Sequence, residues 1–182
     1  MLTLPLLQFL TLVVFLGVSV FWDLRERRIP NKVTVSGLLA GLVLGSLLDG
    51  GLPLNALSGA ALALVVAFSI HAFGGFGAGD AKLLTAVGAF VGPGGLLAVF
   101  VYGALFGGLL ALVNSARRGA ILGLLANTKN LVTYGITGGR AGHRTDISTG
   151  GGNPLPYGIP IAAGALLAWA FPLSLTVLTQ VL

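Results

Sequence analysis

Long apolar runs, separated by short polar stretches, limit this chain of 182 residues to a narrow set of folds. A helix needs about 20 consecutive apolar residues to cross the hydrocarbon core of a bilayer. Six apolar runs reach or approach that length and predict membrane-spanning helices at 4–22, 33–48, 56–73, 81–91, 96–114 and 157–178. The sequence GPGG at 92–95 is typical of a turn and separates the short fourth run from the fifth.

The composition excludes an ordinary soluble domain. Hydrophobic residues make up 55% of the chain and charged residues only 8%, whereas a soluble domain carries about 25% charged residues. The apolar residues come in runs rather than in strand-like alternation, and the 29 glycines suit closely packed helices. We therefore predict an all-α fold, a polytopic bundle of about six membrane helices that forms a single domain, 1–182.

The basic residues predict the orientation of this bundle. With six spans, all ten Lys and Arg residues fall on one side of the membrane, which the positive-inside rule makes cytoplasmic. Both termini then lie outside the cytoplasm. The stretch 115–156 becomes a cytoplasmic loop, amphipathic at first and Gly-rich afterwards. The net charge of +5 is explained by topology, so membrane lipid and not nucleic acid is the expected partner.

Two aspartates stand out because acids are costly at a membrane boundary and are often functional there. Asp23 ends the first apolar run, and Asp80 follows the sequence GAG at 77–79. The predicted topology brings both to the cytoplasmic side. Each also has a structural interpretation: Asp80 as the N-cap of the next helix, and Asp23 as an i,i+4 partner of Arg27.

A pair of carboxyl groups predicts aspartic-protease chemistry. Two nearby carboxyls share one proton, so one can activate water while the other donates to the peptide carbonyl. The chain has no cysteine and only two histidines, and we predict neither a metal site nor a cofactor. The helix dipole favours negative charge at a helix N-terminus. We therefore predict Asp80 as the ionised base and Asp23, at a C-terminal end, as the holder of the proton.

Three motifs in this order resemble those of the type IV prepilin peptidases, a family of GxGD intramembrane aspartyl proteases. They are WDLRERRIPN at 22–31, GAGDAK at 77–82 and PYGIP at 156–160. The resemblance implies that Asp23 and Asp80 are catalytic. It also implies a prepilin or pseudopilin substrate, whose short basic leader is cut on the cytoplasmic side of a bacterial or archaeal cytoplasmic membrane.

Other motif positions are expected to shape the site or position the substrate. These are Pro30, Asn31, Gly77, Gly79, Lys82, Pro156, Tyr157 and Gly158. Lys82 could stabilise a carboxylate or bind substrate, or it could only anchor the helix at the membrane interface. Larger family members carry a cytoplasmic insertion with Cys-x-x-Cys motifs. This chain lacks it and resembles the compact, peptidase-only members, such as those serving Flp-type pili, so N-methylation activity is not expected.

Two other functional classes compete with the peptidase. A small proton- or ion-coupled transporter would also use membrane acids and Gly-broken helices, but it favours acids near the midplane and internal repeats. A non-enzymatic assembly subunit would use the acids only as caps. The sequence does not predict an oligomeric state.

Overall fold

The fold is all-helical in the part of the chain that the structure describes, which confirms the predicted fold class. The computed structural model describes residues 3–72, 77–117 and 157–172. These ranges contain no strand and five α-helices: α1 (Leu4–Glu26), α2 (Asn31–Asp49), α3 (Leu54–Ala72), α4 (Ala78–Arg117) and α5 (Gly158–Ala170).

Four helices are long and apolar enough to cross a membrane. They are α1, α2, α3 and the part of α4 over Ala78–Asn114. Helix α5 has 13 residues and is shorter than a typical span. The predicted sixth span, 157–178, and the predicted loop, 115–156, both extend outside the described residues. The six-span count and the location of the termini therefore stay predictions.

Helix α4 is broken where the sequence predicts a turn. Gly92 has φ 68° and ψ 177°, a backbone conformation that glycine adopts at little cost. Pro93 follows and has no N–H to continue the helical hydrogen bonds. The Gln8 side chain of α1 donates from Nε2 to the Phe90 carbonyl at 2.9 Å, next to the break. The break therefore results from the local sequence, Gly92 followed by Pro93, and one hydrogen bond from α1 supports it.

The helices pack around a core built largely from α1 and α4. Helix α1 contacts α2 and α5, and α2 contacts α3. The most buried large apolar side chains of the core are Leu12, Leu16, Leu83, Leu84, Val87 and Val99. Most other large apolar side chains on α1, α2 and α3 are exposed, as expected for helices that face lipid.

Glycines let α3 and α4 approach closely. A Cβ atom added to Gly88 of α4 would lie 2.5 Å from the Gly59 carbonyl oxygen and 2.7 Å from the Ala63 Cβ, both on α3. The backbones are therefore in direct contact at this crossing. Because lipid is as apolar as a leucine side chain, such close packing is a main source of helix association in a bilayer.

The described residues fall into two units. One comprises those within Met1–Phe106 and Pro156–Leu182, and it contains α1, α2, α3, most of α4 and α5. The other unit, Gly107–Leu155, is described only over 107–117, where α4 ends. Everything that concerns the candidate site lies in the first unit.

Alanine at Gly88 should destabilise the bundle because its Cβ meets backbone atoms that cannot move cheaply. The expected loss of unfolding free energy is about 1–3 kcal/mol, measured as a lower Tm in detergent. Gly17→Ala on α1 is the matched control, since a Cβ there would meet nothing within 4 Å. Equal Tm values for the two variants would contradict this packing.

Candidate active site

Asp23 lies inside α1 rather than beyond its end. The helix continues past the predicted boundary at residue 22 and ends at Glu26, and Asp23 is only 7% exposed. Arg27 stops the helix with a left-handed φ of 51°, and its N–H donates to the Asp23 backbone carbonyl at 3.0 Å. A carboxyl group buried in an apolar bundle requires hydrogen-bond partners of its own.

The N-terminus of α5 provides that partner. The Gly158 N–H, in the first residue of α5, donates to Asp23 Oδ2 at 2.9 Å. The first amides of a helix have no partner within the helix, and the dipole favours an anion at that end. A Cβ at position 158 would lie 2.7 Å from the same oxygen, so only glycine allows this contact without displacing Asp23.

Asp80 lies in the first turn of α4, and its prediction as an N-cap is wrong. Helix α4 begins at Ala78, which makes Asp80 the third helical residue. Its Oδ2 accepts a hydrogen bond from the Gly77 N–H at 3.2 Å. An acidic side chain that reaches back to the amide before the helix is one half of a capping box. The contact fixes the Asp80 carboxyl group at the beginning of α4.

Gly77 and Gly79 are not needed for unusual backbone angles. In the described part of the chain, the only glycines with positive φ are Gly50 and Gly92. A Cβ on Gly77 would lie 3.0 Å from Asp80 Oδ2, so a side chain there presses on the carboxyl group. A Cβ on Gly79 would lie 3.8 Å from the nearest atom, which is ordinary contact.

Both acids line one cavity of about 720 Å³ at one end of the bundle. Its wall is formed by the end of α1, the α1–α2 loop, the start of α2 and the first turns of α4. The lining residues are Asp23, Glu26, Arg27, Arg28, Ile29, Pro30, Asn31, Gly77, Ala78, Gly79, Asp80 and Lys82. The structure thus brings together two acids that are far apart in sequence.

Lys82 contacts a residue that the sequence did not pair with it. Its Nζ donates to Asn31 Oδ1 at 2.9 Å, which joins the start of α4 to the start of α2. Pro30 precedes α2 as its N-cap residue, and its carbonyl accepts from the Val33 amide at 3.0 Å. Pro30, Asn31 and Lys82 therefore all line the cavity, and their roles there stay predictions.

Tyr157 immediately precedes α5, whose first amide contacts Asp23. Burial raises the pKa of the Tyr157 phenol, and the charge of Asp80 raises it further. The phenol therefore stays protonated across the neutral range. Pro156, the preceding motif residue, lies outside the described residues.

The contact from α5 changes the electrostatic comparison of the two acids. The prediction of Asp80 as the base and Asp23 as the proton holder depends on Asp23 lying at an unfavourable helix C-terminus. The Gly158 amide now gives Asp23 the N-terminus of another helix. Helix dipoles therefore do not favour ionisation of one acid over the other. Which acid is the base and which holds the proton stays a prediction.

A second cavity, of about 620 Å³, lies at the opposite end of the same helices. It is lined by Gln8, Asp49 and Asn55 among others, and by neither Asp23 nor Asp80. Across residues 3–72, 77–117 and 157–172, no group of three or more His, Cys, Asp or Glu side chains could hold a metal ion. The absence of a metal centre stays a prediction.

Comparison with known proteins gives one match. The model of the type IV leader peptidase family matches residues 10–112, which is more than half of the chain and includes both acids. The chain belongs to the type IV leader peptidase family. It is therefore a peptidase, and its apolar helices make this leader peptidase a multi-pass membrane protein. No curated protein and no solved structure matches the chain.

Alanine at Gly158 should lower peptidase activity because its Cβ would push Asp23 Oδ2 out of position. A displacement of about 1 Å at a catalytic group costs about 100-fold in rate, so a catalytic role of Asp23 predicts a loss in kcat of that order. Gly94→Ala is the matched control, because a Cβ there meets nothing within 4 Å. Full activity of Gly158→Ala with unchanged folding would show that this contact does not position Asp23.

Proposed function

We propose that this leader peptidase removes the short leader of type IV prepilins or pseudopilins, such as those of Flp-type pili, and that Asp23 and Asp80 are its catalytic acids. One observation carries the proposal: two acids from distant parts of the sequence line a single cavity, each fixed by a backbone amide. The family match supports the leader as the substrate class.

The proposed reaction uses water and one shared proton. The ionised carboxylate takes a proton from water as the water oxygen attacks the scissile carbonyl carbon, and the protonated carboxyl donates to the carbonyl oxygen. The tetrahedral intermediate then loses the amine, which takes its proton from the carboxyl group that received the proton of water. The other carboxylate takes back a proton from a hydroxyl group of the intermediate, so the pair again holds one shared proton. The C–N bond breaks, and the product is a leader carboxylate with a new pilin N-terminus.

The depth of the cavity suits cleavage just outside an apolar helix. Asp23 lies one turn before the end of α1, and Asp80 lies in the first turn of α4. Arg27, Arg28 and Lys82 line the same cavity, and the positive-inside rule assigns such an end to the cytoplasm. We therefore propose cleavage at the cytoplasmic face of the cytoplasmic membrane. A transporter would favour acids near the midplane.

Asp23→Asn and Asp80→Asn should each abolish leader cleavage by the purified protein in detergent, because either change removes one of the two proton-transfer roles. Loss of a catalytic group in such a unit reduces kcat by several orders of magnitude. Asp49→Asn, at the opposite cavity, is the matched control and should keep wild-type activity. Cleavage by either active-site variant at the wild-type rate would reject the proposed pair.

The rate of cleavage should depend on pH with a bell shape. At low pH the base becomes protonated and can no longer activate water, and at high pH the shared proton is lost. The measurement is kcat/KM across the pH range, and Asp49→Asn should give the same profile as the wild type. A rate that keeps rising into the alkaline range would exclude a protonated carboxyl group as the acid.

A further inference from the structure

Asn31 occupies an exposed position on the wall of the cavity that holds the two acids. It is the first residue of α2, and its side chain belongs to the lining together with Asp23 and Asp80. Its backbone carbonyl accepts from the Thr34 hydroxyl at 3.1 Å, so the main chain is part of the helix start. The side chain is the portion of Asn31 that is available to a ligand.

Lys82 fixes which way the Asn31 amide faces. A lysine ammonium group has only donors, so the group at 2.9 Å from Lys82 Nζ is the Asn31 oxygen. The Nδ2 group, with two N–H donors, therefore faces away from Lys82. Within the described residues it donates to no protein group, and Asn31 is one of the residues that line the cavity.

The same loop carries a second donor. The Ile29 residue is buried and lines the cavity, and its backbone N–H makes no hydrogen bond to any described residue. A peptide main chain supplies carbonyl acceptors at every residue, whatever its side chains. The cavity would have to hold the substrate peptide. Residues 29 and 31 therefore provide hydrogen-bond donors for the carbonyl groups of its main chain, in the cavity that the two acids line.

We propose that Asn31 is a substrate-binding residue, whose Nδ2 donates a hydrogen bond to a main-chain carbonyl of the peptide. Lys82 is a positioning residue that holds the amide in the required orientation. This inference rests on the proposed function of the cavity. It assigns the Asn31–Lys82 pair a role in holding the peptide main chain, and no part in proton transfer.

The test measures binding without cleavage. In the Asp80→Asn background, the affinity for a fluorescent prepilin-leader peptide is measured in detergent by anisotropy, and folding is checked from the Tm. Loss of one hydrogen bond predicts about threefold to tenfold weaker binding for Asn31→Ala. Asn55→Ala, at the opposite cavity, is the matched control and should bind as the background protein does.

Asn31→Asp separates substrate binding from a purely structural link. An aspartate keeps an acceptor for Lys82 but has no N–H donors. In the Asp80→Asn background, Asn31→Asp restores the number of carboxyl groups at the cavity. The inference predicts binding as weak as that of Asn31→Ala. Binding equal to that of the background protein would overturn it, because the link to Lys82 would then be sufficient.

Lys82→Met tests the positioning role. Without Lys82 the Asn31 amide would be free to turn, so we expect a smaller loss of peptide affinity than for Asn31→Ala. Adding Lys82→Met to Asn31→Ala should cause little further loss of affinity. Lys32→Met, outside the lining, is the control for the lost charge. Identical losses for Lys82→Met and Asn31→Ala would reject direct contact with substrate. Cleavage by the Asp80→Asn protein would instead refute the proposed function.

Discussion

One hydrogen bond, from the Gly158 backbone amide to the Asp23 carboxyl group, connects α5 to α1 and allows an acid to be buried in an apolar bundle. Both partners would be costly alone, since an unpaired amide and an unpaired carboxylate are each unfavourable away from water. Together they satisfy each other. The absence of a side chain at position 158 is what brings the two groups within bonding distance.

The rest of the cavity depends on three other local features that share its wall. The left-handed Arg27 ends α1 immediately after the turn that carries Asp23. In the first turn of α4, the Asp80 carboxyl group accepts a hydrogen bond from the Gly77 amide. The Asn31–Lys82 hydrogen bond connects the starts of α2 and α4. Each acid is therefore held by a hydrogen bond from a backbone amide. The two stretches that line the cavity, 23–31 and 77–82, are also connected by the hydrogen bond between the Asn31 and Lys82 side chains.

Local chemistry made part of this predictable from the sequence. The apolar runs gave the all-α class, and the sequence GPGG at 92–95 gave the break that the structure has at Gly92, because turn residues act on their own backbone. The acids were identified from their cost in a membrane. The predicted start of α4, at residue 81 after an Asp80 N-cap, is three residues late, since Ala78 and Gly79 carry no start signal that outweighs an aspartate.

Long-range partners could not be predicted in the same way. Nothing near Asp23 in sequence indicates that α5 begins against its side chain, and that contact removes the expected dipole difference between the acids. The pairing of Lys82 with Asn31 likewise depends on how α2 and α4 are packed. A motif indicates that a residue belongs to a site, whereas its hydrogen-bond partner follows from the tertiary fold.

The central claim is that Asp23 and Asp80 act together on one carbonyl group. A peptide isostere with a secondary hydroxyl in place of the scissile carbonyl imitates the transition state, which an enzyme binds far more tightly than substrate. Its affinity is compared with that of the same peptide carrying a methylene group at that position. The hydroxyl should strengthen binding to the wild type, and this gain should vanish in both Asp23→Asn and Asp80→Asn. A gain that persists in either variant would contradict a shared catalytic site.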